Sequence, residues 1–470
     1  MSEKTQGELL MEKLTLKREN GCKDEKVVAE AELFCEGYKR FLDLGKTERE
    51  AADFAIAAAI EKGFKRFDRN AKYNPGDKVY LNNRGKSVAL AVIGDQPVEN
   101  GVRVAAAHID SPRIDLKPNP IYEDCEMALF KTHYYGGVKK YQWTAIPLAL
   151  HGVVIRADGT PVSIVIGEDE DDPCFVITDL LPHLAAEQYK RTLGEAIRGE
   201  DMNVLIGSYP FKDDKVSEAV KLNILNIIYE KYGIVEADFV SAELELVPTF
   251  KARDIGFDRS LIGSYGHDDR VCAYPSLMAA LGVNGVPEHT VITVLADKEE
   301  IGSMGNTGLE SEFLKYFVCD LAKMQGGDGF TALANSECLS ADVNAAFDPN
   351  YPDVLDRRNA AMINHGAAFT KYTGSRGKSG TSDASAEFVG KMRRLMDANN
   401  VKWQMGELGK VDLGGGGTVA MYIANLGMDV IDIGVPVLSM HAPFEVVSKF
   451  DVYMVYKAIE AFFQKLSNFT

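Results

Sequence analysis

The segment VITVLADKEEIGS, residues 291–303, joins an apolar run to an acidic loop. Its first five residues, 291–295, are apolar or β-branched and predict a buried strand. The loop that follows carries two adjacent carboxylates, Glu299 and Glu300. Neighbouring side chains point to opposite sides of an extended chain, so one glutamate can bind a metal while the other faces a substrate. Taken alone, such an acidic pair is more often part of a solvated loop.

Other metal-competent side chains lie at the ends of other predicted strands. They are His108, Asp110, Asp268, Asp342 and His441. Histidine is the commonest metal ligand and usually needs a carboxylate to orient its ring, which fits His108 followed by Asp110. Each residue singly is more often a structural cap than a ligand. Ligands of open α/β sheets bind beyond the carboxyl ends of the strands. The repeated occurrence of metal-competent residues at predicted strand ends therefore predicts a metal site.

The segments around these residues resemble the motifs of the aspartyl aminopeptidase and aminopeptidase I family, metallopeptidase family eighteen, which are dinuclear zinc exopeptidases. The matching segments are AHIDSPR at 107–113, GHDDR at 266–270, DKEEIGS at 297–303, SADVNAAFDPNY at 340–351 and MHAPFE at 440–445. They follow the family's order, and the resemblance covers nearly the whole chain. It implies a metal-dependent aminopeptidase that removes the N-terminal residue of short peptides.

The resemblance also implies which residues bind the metal. The ligands would be Asp268 bridging two ions, His108 and Asp342 on one ion, and Glu300 and His441 on the other. Imidazole and carboxylate together suit Zn²⁺, two per subunit, and also Mn²⁺ or Co²⁺.

Three further residues receive catalytic roles from the resemblance. Glu299 would be the general base, and Asp110 would orient His108. His183, in the segment LPHL, would reach the active site of a neighbouring subunit and stabilise the oxyanion, although a solvated loop histidine is the plain alternative. The family further implies a homo-oligomer built from dimers, a tetrahedral dodecamer that admits short peptides.

The periodicity predicts an α/β protein with an insertion. Helical spacing precedes the first strands, where Thr47 and Glu50 form a capping box. Strands alternate with helices in the last part of the chain, which argues for a sheet with helices on both faces. We predict a three-layer αβα catalytic domain of the zinc-exopeptidase type, formed by residues 1–117 and 251–470. A β-rich insertion at 118–250 interrupts it, with β-type runs such as 148–155 and one helix around 215–232. The resemblance makes this insertion a dimerisation domain.

Composition limits the class of protein. A chain of 470 residues exceeds the ~250–300 residues of a usual single core, so two or three domains are expected. A net charge of −17 disfavours nucleic acid and anionic membranes as partners, and no apolar run approaches the ~20 residues of a membrane span. Seven scattered cysteines and an N-terminus without an apolar core predict a cytoplasmic protein.

Two loops keep two interpretations each. The basic loop 371–378 either lines a pocket for an acidic substrate side chain or is solvated, and its glycines do not match a phosphate loop. The run 414–418, GGGGT, is either a turn with a helix N-cap or a set of backbone donors for substrate oxygens. The preferred N-terminal residue of the substrate, acidic or neutral and apolar, therefore stays open.

Two other functions remain alternatives. A deacylase or carboxypeptidase on the same dinuclear scaffold is one, and a non-catalytic assembly protein is the other. The retention of Glu299 together with all five ligands favours an enzyme over an assembly protein. No H-E-x-x-H or G-x-S-x-G segment occurs, which argues against a thermolysin-like enzyme and a serine hydrolase.

Overall fold

The structure is a computed structural model that describes residues 4–16 and 18–464. Residues 1–3, part of the N-terminal segment considered above, lie outside the described residues. The helices of the described chain are α1 (Gln6–Leu14), α2 (Glu25–Leu44), α3 (Glu48–Glu61), α4 (Leu193–Ala196), α5 (Ala219–Tyr232), α6 (His267–Leu281), α7 (Phe313–Met324), α8 (Gly329–Ala334), α9 (Ala386–Ala398), α10 (Ala420–Ala424) and α11 (Lys449–Phe463). Among these residues no helix combines the length and the apolar composition needed to cross a bilayer.

The strands form three sheets. In chain order they are β1 (Lys65–Arg66), β2 (Lys78–Asn83), β3 (Ser87–Val92), β4 (Arg103–His108), β5 (Arg113–Asp124), β6 (Met127–Tyr135), β7 (Leu148–Ile155), β8 (Pro161–Ile166), β9 (Val176–Ile177), β10 (Val204–Gly207), β11 (Ala242–Pro248), β12 (Arg253–Ile255), β13 (Leu261–Ser264), β14 (Val291–Ala296), β15 (Glu337–Ala341), β16 (Asn344–Ala345), β17 (Ala367–Thr370), β18 (Trp403–Met405), β19 (Asp429–Gly434), β20 (Pro436–Leu438) and β21 (Glu445–Ser448).

The largest sheet has the strand order β1-β2-β3-β14-β4-β15-β19-β17-β18. Its centre, β14-β4-β15-β19, is parallel, while β3 and β17 join it antiparallel. Strands β4 and β14 are buried along their whole length, and β15 and β19 are buried except at their first residue, as expected for parallel strands covered on both faces.

Successive side chains along the strands of the large sheet pack in two separate apolar cores, because side chains alternate between the two faces of a strand. Leu90 and Ala105 pack in one core with residues of α2, α6 and α11. Their neighbours Ala91 and Val104 pack in the other core with residues of α7 and α8. Helices therefore contact the sheet through both sets of side chains.

The second sheet, in the order β8-β7-β11-β5-β6-β10-β9, contains the β-type runs expected in the insertion. Its core includes the buried Trp143 and Phe239. The predicted boundary at residue 118 falls inside β5, which begins at Arg113. The helix expected near the end of the insertion is α5, and the predicted strand at 148–155 matches β7.

The third sheet is small, with the order β12-β13-β21-β20-β16. It links the segment that returns from the insertion to the C-terminal part of the chain, since β13 pairs antiparallel with β21. Thr47 and Glu50 form the expected capping box at the start of α3. The mixed α/β class predicted from the periodicity is therefore confirmed.

Candidate metal centre

Three neighbouring parallel strands bring four of the predicted residues to one edge of the large sheet. His108 is the last residue of β4, and Asp342 directly follows β15. Glu299 and Glu300 lie in the short 3₁₀ helix Glu299–Ile301 beyond β14. Since β14, β4 and β15 are adjacent and parallel, their carboxyl ends meet at the same edge.

The other two predicted ligands come from segments next to the small sheet. Asp268 lies at the start of α6, just after β13, where its backbone is not helical (φ −79°, ψ 108°). His441 lies between β20 and β21 and has a positive φ of 65°. Pairing of β13 with β21 therefore brings these two segments together.

The Asp268 carboxylate stands between the two histidines. Its Oδ1 is 3.2 Å from Nε2 of His108, and its Oδ2 is 3.2 Å from Nε2 of His441. Nε2 of His441 is also 3.5 Å from Oε2 of Glu300, and Nε2 of His108 is 4.0 Å from Oδ1 of Asp342. The structure thus brings all five predicted ligands into one cluster.

The donor set of this cluster fits a divalent metal. Oε1 of Glu300 and Oδ2 of Asp342 are buried without a hydrogen-bond partner. Burial, reinforced by the charge of a neighbouring aspartate in each case, raises the pKa of both carboxyls well above the usual range. Buried carboxylates crowded in this way need a compensating cation, and histidine with carboxylate is a zinc-type ligand set.

Asp269 is a metal-competent residue that the sequence analysis did not single out. It is fully buried and forms a group with His108 and Asp342 whose ligand atoms all lie within 4.8 Å of one another. Its Oδ2 accepts a hydrogen bond from the backbone N–H of His108 at 3.2 Å. The signal was present in the sequence as the second aspartate of GHDDR.

Asp110 connects the β4 loop to the β14 loop. Nδ1 of His108 donates to the carbonyl oxygen of Asp110 at 3.0 Å and lies 3.3 Å from its Oδ1. The Asp110 carboxylate also accepts the backbone N–H groups of Glu299, at 3.1 Å, and Glu300, at 3.2 Å. A proton held on Nδ1 leaves Nε2 of His108 free to bind a metal.

Glu299 borders the cluster and is the more exposed of the two glutamates. Its side chain is 18% exposed, and its Oε2 is 3.7 Å from Nε2 of His108. Burial raises the pKa of Glu299 to about 7, with the charge of His108 opposing the rise and that of Asp268 adding to it.

Glu445 is a second residue that the sequence analysis missed. Its Oε2 accepts the backbone N–H of Asp268 at 3.1 Å, and its Oε1 accepts that of His441 at 2.7 Å. One buried carboxylate therefore ties together the two ligand segments beside the small sheet. Its position at the end of MHAPFE was the available signal.

His183 is not part of the cluster formed by the described residues. It lies on the exposed turn Pro182–Leu184 of the insertion.

In the basic loop, Lys371 and Lys378 lie 3.5 and 2.9 Å from the carboxylate of Asp383, which partly neutralises them. Helix α10 has no side-chain N-cap hydrogen bond, so Thr418 does not cap it.

Comparisons with known proteins identify the family of this chain. A family model described as aminopeptidase I zinc metalloprotease (M18) matches residues 41–463. The chain belongs to the M18 family. A probable M18 family aminopeptidase 1 from Clostridium acetobutylicum is 49% identical over 93% of this chain and 96% of the relative. A probable M18 family aminopeptidase 1 from Thermotoga maritima is 46% identical over 93% of this chain and 97% of the relative.

Solved structures of M18 proteins share the fold. The crystal structure of the Thermotoga maritima M18 aminopeptidase has a TM-score of 0.92 and 44% identity, covering 96% of this chain and all of that one. A yeast aminopeptidase 1 structure has a TM-score of 0.74 at 21% identity, which shows the fold alone. This M18 protein is a zinc metallopeptidase that hydrolyses N-terminal residues, so the expectation of an aminopeptidase is confirmed.

Proposed function

We propose that the cluster holds two zinc ions bridged by Asp268, with His108 and Asp342 on one side and Glu300 and His441 on the other. The observation that carries this proposal is the placement of the two Asp268 oxygens, each 3.2 Å from a different histidine. A single carboxylate that faces two imidazoles is the arrangement that a bridging ligand requires. Mn²⁺ or Co²⁺ would suit the same ligands.

When bound, the ions would polarise the scissile carbonyl, lower the pKa of the attacking water and provide a site for the free α-amine of the peptide. Glu299 takes the proton from the water and passes it to the leaving amine. Its position supports this role, because its Oε2 lies at the border of the cluster, 3.7 Å from Nε2 of His108. Asp110 keeps His108 in the metal-binding tautomer through the contacts at Nδ1.

The preferred N-terminal residue depends on the role of the loop at 371–378. Lys371 and Lys378 both form ion pairs with Asp383. Arg376 is the third basic residue of the loop and is the one proposed to bind an acidic substrate side chain. Faster cleavage of aspartyl or glutamyl reporters than of leucyl reporters would assign the loop to a specificity pocket. The reverse order would assign it to the solvated surface.

We also propose the three-layer zinc-exopeptidase arrangement for the catalytic part, supported by the two cores of the large sheet. The insertion serves as the dimerisation domain. The exposed apolar side chains around His183 support this role, and they are Leu180, Leu181, Leu184, Tyr189 and Leu193. A yeast aminopeptidase 1 with this fold is described as a dodecamer, and we propose the same closed assembly here. Seven free cysteines support a cytoplasmic location.

The test is removal and return of the metal, with elemental analysis. Chelation should abolish hydrolysis of free-amine peptides, and added Zn²⁺, Mn²⁺ or Co²⁺ should restore it with two ions per chain. N-acetylated versions of the same peptides should resist cleavage, which separates an aminopeptidase from a deacylase. Full activity in metal-free protein, or full activity with a single ion, would overturn the dinuclear proposal.

A further inference from the structure

The end of strand β6 reaches the metal centre although β6 belongs to the sheet of the insertion. The hydroxyl of Tyr135, the last residue of β6, donates to Oδ2 of Asp110 at 2.8 Å. Two residues later the carbonyl oxygen of Gly137 accepts a hydrogen bond from Nδ1 of His441 at 2.8 Å. One short segment of the insertion therefore contacts Asp110, the partner of His108, and also contacts His441 directly.

The ring of Tyr135 is held in place by a buried arginine. The guanidinium of Arg113 lies 3.9 Å from the centroid of the Tyr135 ring. That guanidinium is itself fixed by three carboxylates, with ion-pair distances of 3.3 Å to Glu48, 2.8 Å to Asp115 and 3.1 Å to Glu245. A cation over an aromatic face attracts it, and a guanidinium with several partners has little freedom to move.

The segment approaches the cluster so closely that a side chain at either of the two positions after Tyr135 would be crowded. A Cβ on Gly136 would lie 3.2 Å from Cβ of Glu300, and Gly136 has a φ of 73°, where an L side chain is strained. A Cβ on Gly137 would lie 3.1 Å from Nδ1 of His441. Two consecutive glycines thus allow the backbone of the insertion to touch the ligand side chains.

We propose that Tyr135 is a positioning residue for the metal centre, acting through Asp110, and that with Gly137 it anchors both histidines to the inserted sheet. The inference rests on the proposed function, since it takes the cluster to be the metal site. Oδ2 of Asp110 has two donors, the Tyr135 hydroxyl and the Glu300 backbone N–H. Loss of the hydroxyl leaves Asp110 freer to turn away from His108. The insertion is then a part of its own chain's active site as well as a surface for assembly.

The test is Tyr135→Phe, which removes one oxygen and keeps the ring beneath Arg113. Outer partners of metal ligands typically contribute ~10–100-fold to metal affinity or activity. We expect zinc affinity, measured by competition with a chromophoric chelator, to fall roughly 10-fold, and kcat to fall while KM stays near its original value. Tyr134→Phe is the matched control, because Tyr134 is the adjacent residue and is 41% exposed. The control should change neither quantity.

A double-mutant cycle shows whether Tyr135 acts through Asp110. In an Asp110→Asn background, Tyr135→Phe should lower zinc affinity by much less than it does alone, because the group it positions is already altered. Equal effects in both backgrounds, or unchanged zinc affinity and kcat in Tyr135→Phe, would overturn this inference alone. Failure of the unaltered protein to bind zinc would overturn the proposed function and this inference with it. Melting temperatures of all variants check that each is measured in the folded state.

Discussion

The two adjacent glutamates of the site have different surroundings. Glu300 has a side chain only 3% exposed and faces Nε2 of His441 at 3.5 Å. Glu299 is 18% exposed and faces His108 at 3.7 Å. The short 3₁₀ helix that carries them turns their side chains to different parts of the cluster. This difference in burial is what supports a ligand role for Glu300 and a proton-carrying role for Glu299.

The pair offers a matched comparison of these roles. Glu299→Gln should keep both metals and lose ~10²–10⁴-fold in kcat, because the amide cannot accept the proton of the attacking water. Glu300→Gln should instead reduce the metal content, since an amide is a weaker ligand than a carboxylate. Elemental analysis and kinetics on the same samples separate the two effects. Metal loss in the Glu299 variant and full metal content in the Glu300 variant would reverse the assignment.

At the scale of elements, an ionic network joins the N-terminal helices to the inserted sheet. Lys46, just before α3, is buried, and its Nζ is 2.7 Å from Oε1 of Glu168 and 2.8 Å from the carbonyl oxygen of Pro248. His151 on β7 bridges the carboxylates of Glu168, at 3.1 Å, and Glu50, at 2.7 Å. A buried ammonium depends on such partners, because an unpaired buried charge is strongly destabilising.

We expect Glu168→Gln to destabilise the protein by about 3 kcal/mol near neutral pH, because it leaves Lys46 buried without its carboxylate. Burial opposes ionisation of Glu168, but His151 and the charge of Lys46 lower its pKa from 4.5 to about 2. A lowered pKa stabilises the folded state above 4.5, and this contribution is lost as the pH falls towards 2. Urea unfolding at pH 6 and pH 3 should therefore show a smaller difference between the two proteins at pH 3.

Glu170→Gln is the control for this prediction, since Glu170 is an exposed acid on the same turn. It should leave the unfolding free energy nearly unchanged at both pH values, as most substitutions of exposed side chains do. An equal loss of stability in the Glu168 and Glu170 variants would contradict the role given to the network.

At the scale of the whole molecule, the surface of the insertion is the part that the proposed assembly would use. Its turn around His183 exposes several large apolar side chains, including Leu184 and Tyr189. Exposed apolar patches of this kind mark interaction surfaces. Each chain has a net charge of −17, so two copies repel each other. A stable contact between them therefore needs a surface where the burial of apolar side chains outweighs this repulsion.

Mixing of two inactive variants tests the shared active site. Glu299→Gln removes the proposed base from its own chain, and His183→Ala removes the residue proposed to serve the neighbouring chain. After subunit exchange, hybrid dimers should regain part of the activity, because some sites combine an intact Glu299 with an intact His183. Light scattering should show a particle far larger than the 51.6 kDa chain. A fully active monomer, or no recovery despite demonstrated exchange, would contradict both the assembly and the role of His183.

Local patterns in the sequence were enough for much of the fold. The capping box at Thr47 and Glu50, the strand at 148–155 and the strand ends that carry His108 and Asp342 are all properties of short segments. Spacing and side-chain alternation decide such features within a few residues. The run 414–418 carried two interpretations, and the one that made it a turn with a helix N-cap is not supported, because the helix that follows has no side-chain cap.

Contacts between distant segments were decided only in the tertiary structure. Glu445 lies 177 residues from Asp268 in the chain and joins it to His441, and Tyr135 reaches Asp110 from another sheet. The MHAPFE segment marks the neighbourhood of Glu445 but not its two backbone partners, and in the chain Tyr135 looks like an ordinary strand residue. The sequence by itself determined the α/β class, the M18 motifs and the side chains able to bind metal. The tertiary structure decided which backbone and side-chain groups position the metal-binding side chains. Strand pairing between remote segments of the chain sets the distances between these groups.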